Sequence, residues 1–345
     1  MKGISRHDID AAVRDAKREA TTRFLSHAET ATASTYAVSA RPQQNVVGVG
    51  LGAKITKGKA TRQRCVRFYV DRKLGETAIP PEFVLPSVVN GVPTDVIETG
   101  RFLALPAAIP IEQKSQQKIE QKRLRPASPG CSIGFQFTGA KAGFVMAGTF
   151  GAVVAAGGVR YILSNNHVLA DENSLPIGSA IFQPGLLDHG KVPTDQIAKL
   201  TRFVPLKTGA ANAVDAAIAE VSVADSVRPS VLPEVGALKS ATPIDATEAM
   251  KVHKTGRTTG YTRGTVFDVS ATVKVQYDLG VLRFDDQVLI RGDARAFSDA
   301  GDSGSLIVDR TTGQATGLLF AGSTRFTIAN HIGDVLTALG VALVV

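Results

Sequence analysis

Three segments of the chain carry residue types that together can perform nucleophilic chemistry. Ser303 lies in Ser298-Asp299-Ala300-Gly301-Asp302-Ser303-Gly304-Ser305-Leu306-Ile307-Val308, held between glycines and just ahead of an apolar strand. A serine hydroxyl is a weak nucleophile until a tight turn exposes it beside a base, and a glycine two residues upstream lets backbone N–H groups face a developing oxyanion. Gly301 and Ser303 are the candidate donors. The best-placed histidine is His167, which the apolar run of Tyr161-Ile162-Leu163-Ser164-Asn165-Asn166-His167-Val168 delivers into a small-residue turn. The best-placed carboxylate is Asp215, at the head of Ala216-Ala217-Ile218-Ala219, where it can be buried against an imidazole N–H. The order is His167, Asp215, Ser303, at separations of 48 and 88 positions. Asp188 beside His189 is a rival pair, but Pro184, Gly185 and Gly190 around it read as a solvated turn. His7, His27, His253 and His331 lack flanking Cys, Asp or Glu at ligand spacing, so neither a metal site nor a cofactor is expected.

Order, spacing and local sequence resemble the trypsin/chymotrypsin-like serine proteases over residues 128–345. The resemblance implies His167 as general base and acid, Asp215 as its orienter, Ser303 as nucleophile, the Gly301 and Ser303 amides as oxyanion hole, and Asp302 as a brace for that hole. It also implies a substrate pocket whose floor is Phe297, six positions before the nucleophile, and whose wall is Phe320-Ala321-Gly322-Ser323, with an exposed edge that pairs with substrate backbone. Without an acid at the floor a buried Arg or Lys of the substrate would go unpaired, so cleavage after basic residues is disfavoured and a small or medium apolar residue is expected there. Pro129-Gly130-Cys131-Ser132-Ile133-Gly134 stands where the secreted branch has Ile-Val-Gly-Gly, which leaves Asp302 without that branch's partner. Lys254–Val266 resembles the connection between the two barrels in bacterial members. The context Gly-Asp-Ser-Gly-Ser-Leu-Ile is similar to the plant narrow-leaf proteins, a branch without signal peptides whose oligomers imply a homo-oligomer here. The activity implied is a serine endopeptidase acting on protein or peptide substrates; the alternative is a pseudoprotease that binds peptides or partner proteins through the same cleft.

Around these segments the chain reads as mainly β. Glycine is abundant at 33 residues, tryptophan is absent, and short Val/Ile/Ala/Thr runs alternate with turns in the C-terminal two-thirds, as at Ala152–Leu163 around Gly157-Gly158, Val266–Val275 and Gln287–Arg291. With 345 residues and 44% hydrophobic residues the chain can bury a large core, and two domains are expected. The expected fold is a chymotrypsin-like double β-barrel preceded by a small α+β domain. Residues 1–40 are an N-terminal helix and linker, with one amphipathic helix over 6–30; 41–105 are the α+β domain, 106–127 a basic, Pro-containing linker, and 128–345 the protease domain with a closing helix near Asp334–Leu339. Strands are predicted at Val46–Leu51, Cys65–Val70 and Thr94–Glu98, the last preceded by an Asn90-Gly91 turn.

The charge of the chain is uneven: residues 1–127 carry 21 Lys and Arg against 12 Asp and Glu, and residues 128–345 carry 18 against 19. A cluster from Lys54 to Lys73 that includes Lys57, Lys59, Arg62, Arg64, Arg67 and Arg72 is either a solvated hairpin or a surface for an acidic partner or nucleic acid. Cys65 and Cys131 fall in different segments, so no disulfide framework of a secreted protease is available. The first residues lead into a charged helix, and no apolar run approaches a membrane span, so a cytoplasmic location and no membrane contact are expected.

Overall fold

A computed structural model describes residues 3–25, 45–75, 79–104, 109–110, 117–232 and 234–345. Asp10 accepts from the Ala12 amide and so caps helix α1 (Ala11–Phe24), whose Ala16, Ala20 and Thr21 form its buried face. The helix is shorter than the span expected over 6–30, because Ser5 heads a separate single turn, Arg6–Asp8; residues 26–30 lie outside the described residues. α1 packs on β1 (Val46–Thr56) and β2 (Lys59–Val70), an antiparallel hairpin turned at Lys57-Gly58, both with positive φ as a two-residue turn requires. β3 (Val88–Val89) and β4 (Val92–Glu98) follow around Asn90-Gly91, and β4 runs parallel to β2. β5 (Phe102–Ala104) and β6 (Ile109–Pro110) complete the N-terminal module. Of the expected linker over 106–127, residues 106–108 and 111–116 are outside the described set, and the described remainder holds β6 and one short turn, Ile119–Gln121.

The first barrel is built from β7 (Ser132–Ile133), β8 (Phe144–Val145), β9 (Gly148–Thr149), β10 (Ala152–Ala156), β11 (Val159–Ser164), the one-turn helix α2 (Asn166–Leu169), β12 (Ala180–Phe182), β13 (Gln196–Phe203) and β14 (Ala217–Val221). Among the described residues its main sheet runs β12, β13, β14, β11, β10 and the C-terminal β21 (Ala342–Leu343), and Gly134 exchanges both backbone hydrogen bonds with Phe182 to draw β7 and β12 together. The second barrel contains β15 (Lys251–Gly256), β16 (Gly260–Tyr277), β17 (Gly280–Gly292), β18 (Leu306–Asp309), β19 (Ala315–Gly322) and β20 (Thr327–His331), followed by α3 (Ile332–Leu339). The order β15, β18, β19, β20, β17, β16 closes on itself through the β15–β16 pairing. Two barrels in sequence, the first around its own apolar interior and the second around one that the N-terminal module shares, make the chymotrypsin-like fold. Lys254–Val266, expected between the barrels, is instead the first hairpin of the second: Gly256 pairs with Gly260, whose φ of +64° makes the tight turn.

The N-terminal module shares a sheet and a core with the second barrel. β1 pairs antiparallel with β16, and Val49, Leu51, Val66 and Phe68 pack in one cluster with Val252, Val266, Ile290 and Ile307. The joint is polar at its centre: Asp268 is buried and accepts from Tyr69 Oη, the Leu51 amide (2.8 Å) and the Ser270 amide (2.8 Å). Arg67 is also buried, donating to the Phe267 and Ala53 carbonyls with its guanidinium 4.1 Å from the Phe267 ring. The interleaved glycines of β1 now have a reason, since a Cβ on Gly50 would overlap Asp268 Oδ2 and one on Gly52 the Arg67 guanidinium. Of the basic cluster, Arg64 pairs with Glu248 at 2.5 Å and Arg67 is internal, while Lys57, Lys59 and Arg62 stand exposed at the hairpin tip. Cys65 and Cys131 are free and buried, and burial pushes their thiols up to about 11 and about 12.

Gly50→Ala is expected to lower the unfolding free energy by about 2–3 kcal/mol, the range of overpacking in a filled core, whereas Gly75→Ala, which meets open space, stays within about 0.5 kcal/mol of the parent in urea denaturation.

Candidate functional site

β11 pairs with β10 and β14 and carries the chain into the Ser164-Asn165 turn, after which α2 presents His167. Asp215, fully buried just before β14, is held from four directions. Its Oδ2 lies 2.5 Å from His167 Nδ1 and accepts from Tyr277 Oη at 2.8 Å; its Oδ1 accepts from the Asn166 amide at 2.7 Å; its own amide donates to Asn330 Oδ1 at 3.1 Å. Asn165 Nδ2 donates to the Asp215 carbonyl at 2.8 Å, fixing the backbone that carries the acid. Nδ1–H directed at a carboxylate leaves Nε2 as the lone-pair nitrogen. Among the described residues Nε2 is buried and has no hydrogen-bond partner.

Ser303 sits on the turn between the Asp299 bend and β18. Its carbonyl accepts from the Thr149 amide at 2.8 Å, and its Oγ donates to the Phe320 carbonyl at 3.3 Å rather than to His167. Gly301 and Gly304 have φ of +91° and +94°, and a Cβ on Gly301 would press on Thr258 Oγ1. The peptide orientations follow from what holds the carbonyls. Thr258 Oγ1 donates to the Ala300 carbonyl at 2.5 Å, and Ser305 Oγ to the Asp302 carbonyl at 2.6 Å. In a trans peptide the N–H points opposite to the C=O, so the Gly301 and Ser303 amides turn away from these donors. Among the described residues neither amide finds an acceptor. Two free, oriented N–H groups flank the hydroxyl, as stabilisation of a transient oxyanion requires.

The buried Asp302 carboxylate organises this turn. It accepts from the amides of Thr258 (2.8 Å), Thr259 (3.1 Å) and Asp299 (3.0 Å), from Thr259 Oγ1 (2.6 Å), and from Lys254 Nζ (3.1 Å). Lys254 is also buried and further donates to Thr259 Oγ1 and to the Gly260 carbonyl. Burial pulls the Lys254 ammonium below its ordinary pKa while Asp302 opposes that pull. The partner left unassigned for Asp302 in the sequence is therefore an internal lysine, and Gly256 is small because a Cβ there would lie 2.6 Å from Asp302 Oδ1. Asp188, read as part of a solvated turn, is likewise buried: Arg257 binds it through Nε at 2.7 Å and Nη2 at 2.6 Å, tying the loop after β12 to the second barrel.

Phe297 is 2% exposed, and its ring packs in the core with Val252, Val266 and Ile307 while its carbonyl accepts from Thr262 Oγ1. Ala321 and Gly322 are buried at the end of β19, and Ser323 closes the following turn through its Oγ, which accepts from the Arg325 and Phe326 amides. Their edge is not exposed as expected, because β5 pairs with it: Ala321 with Ala104 and Gly322 with Leu103. Tyr277, Lys254, Asn330 and Arg257 were not visible as site residues in the sequence. No motif surrounds Tyr277 or Asn330, and only the burial of Lys254 on β15 and of Arg257 in the β15–β16 turn distinguishes them from surface cations.

Residues 210–329 match the family model described as Nal1 C-terminal domain. The chain is 25% identical to Protein NARROW LEAF 1 of Oryza sativa subsp. japonica over 288 residues, 76% of this chain and 48% of that one. It thus spans about half the length of this relative. Among solved structures, Thermobifida fusca Protease A is similar with a TM-score of 0.45 and 18% identity, covering 63% of this chain and 99% of that one. For Cellulomonas bogoriensis chymotrypsin the TM-score is 0.42 and the identity 15%, with the same shares of both chains.

Lys254→Met leaves a buried carboxylate uncompensated and is expected to cost about 3–5 kcal/mol in urea denaturation, most of it recovered in Lys254→Met/Asp302→Asn. A single-variant loss of under about 1 kcal/mol means that the amide donors and Thr259 Oγ1 hold Asp302 without Lys254.

Proposed function

We propose that this chain is a serine endopeptidase that hydrolyses peptide bonds through an acyl-enzyme on Ser303. The observation that carries the reading is the pairing of His167 Nδ1 with the buried Asp215 carboxylate, which leaves Nε2 unpartnered, in a chain whose Ser303 is flanked by two unpartnered amides. Rotation of Ser303 about χ1 releases Oγ from the Phe320 carbonyl and turns it toward the base. Nε2 takes the hydroxyl proton as Oγ adds to the substrate carbonyl, and the Gly301 and Ser303 N–H groups stabilise the oxyanion. The imidazolium formed is stabilised by Asp215 and returns its proton to the leaving amine; water then repeats the sequence on the acyl group. Asp215 keeps the imidazole in the productive tautomer, and Tyr277 donates its hydroxyl to the same Oδ2 that faces His167.

A fluorophosphonate probe tests this reading. Covalent labelling at Ser303 that is lost in Ser303→Ala and reduced at least about 1,000-fold in His167→Ala is the expected result. A folded chain whose Ser303 stays unlabelled even when β5 is displaced from β19 favours the pseudoprotease instead. Tyr277→Phe keeps the ring's edge contact with His167 but removes one donor from a buried carboxylate. It is expected to lower kcat about tenfold with KM unchanged in steady-state peptide hydrolysis.

A further inference from the structure

β5 occupies the backbone edge beside the candidate nucleophile. Ser303 Oγ is bonded to the Phe320 carbonyl, so Ala321 and Gly322 are the next residues of β19 along which a peptide reaching Ser303 would lie. One side of these residues is taken by β20, through Ala321–Ile328 and Gly322–Thr327. On the other side lies β5, antiparallel, with Ala104 opposite Ala321 and Leu103 opposite Gly322. The far edge of β5 is satisfied as well, in parallel pairing with the end of β16 through Phe102–Val275 and Leu103–Gln276. Backbone pairing of this kind is how an extended peptide joins a sheet edge, with alternate side chains filling pockets.

The side chains of β5 behave as such a ligand's would. Phe102 and Ala104, alternate residues, are buried in one cluster with Phe284, Phe320 and Ala321, while Leu103 on the opposite face is half-buried. The same cluster includes Tyr277, the donor to Asp215, and the Phe284 ring is 4.7 Å from that of Phe320. Further along the chain, β6 pairs antiparallel with β8 of the first barrel, just ahead of the β9 residue whose amide holds the Ser303 carbonyl. β5 and β6 are thus hydrogen-bonded to the second and the first barrel, respectively. Access agrees with occupancy: Ser303 is 2% exposed and His167 1%.

Resting on the serine-endopeptidase reading for its consequence but not for its binding chemistry, we propose that Phe102-Leu103-Ala104 is an intramolecular occupant of the peptide-binding edge. The site accepts extended apolar peptides of this kind, aromatic and small at alternate positions, and is closed to them until β5 leaves.

The probe is a fluorescein-labelled peptide, Thr-Gly-Arg-Phe-Leu-Ala, copying residues 99–104. In a Ser303→Ala background the full chain is expected to bind it weakly, and Phe102→Asp, which places a carboxylate in the apolar cluster and releases the strand, at least tenfold more tightly by fluorescence anisotropy. With Ser303 intact, Phe102→Asp should react with a fluorophosphonate at least tenfold faster than wild type. Peptide binding without labelling keeps the strand inference and overturns the endopeptidase reading; a folded Phe102→Asp chain with no gain in peptide binding overturns the strand inference. Should Phe102→Asp not fold, Leu103→Cys/Gly322→Cys places thiols at opposed positions of an antiparallel pair, within disulfide reach. Its oxidised form should bind the peptide at least tenfold more weakly than its reduced form, and equal binding in the two forms overturns the inference.

Discussion

A carboxylate removed from water must be met by donors on every side, and Asp215 is met from both barrels. The first barrel supplies His167 and the Asn166 amide; the second supplies Tyr277 and, through Asn330, an acceptor for the Asp215 amide. Neither barrel alone satisfies it. Sliding one barrel past the other would strand a buried charge at a cost of several kcal/mol. β16 runs on past its pairing with β15, in register with β17, to Tyr277, whose hydroxyl reaches the acid. Glu172, next to α2, receives the hairpin tip by accepting from the Asp278 and Leu279 amides, and burial raises its pKa.

The serine turn is held by the same logic with different groups. Thr149 links the barrels at one residue: its amide donates to the Ser303 carbonyl, its Oγ1 donates to the Gly301 carbonyl and accepts from the Arg257 amide, and its carbonyl accepts from Ser164 Oγ. Arg257 goes on to Asp188 and Lys254 to Asp302, so two buried ion pairs flank the turn from the β15–β16 hairpin. The geometry of the Gly301 and Ser303 amides is part of the folded barrel.

The N-terminal module is structurally an extension of the second barrel. Its strands continue the sheet beyond β16, and its helix covers the core that the extension creates. Joining through Asp268, Tyr69 and Arg67 makes the joint specific, because their buried hydrogen bonds form only in this register. That rigidity places β5, and the sheet therefore connects the N-terminal segment to the edge beside Ser303.

Much of this molecule was legible in the residues themselves. The strand–turn patterns of β1, β2, β4, β10 and β11 follow from alternation and from glycine pairs, and His167, Asp215 and Ser303 could be singled out by local context, because a nucleophile turn and a strand-end histidine are properties of contiguous sequence. What contiguity does not carry is the identity of distant partners. Lys254 looks like one more cation until folding places it 3.1 Å from an acid 48 positions away, and Tyr277 like one more strand aromatic until a long hairpin sets its hydroxyl on Asp215. Asp188 read as solvated because its flanking turn residues are polar punctuation, and only the packing of two barrels brings Arg257 to it. The wall at Ala321–Gly322 read as an open edge for the same reason: a strand's own sequence specifies its alternation, whereas the strand that lies beside it is chosen by tertiary register.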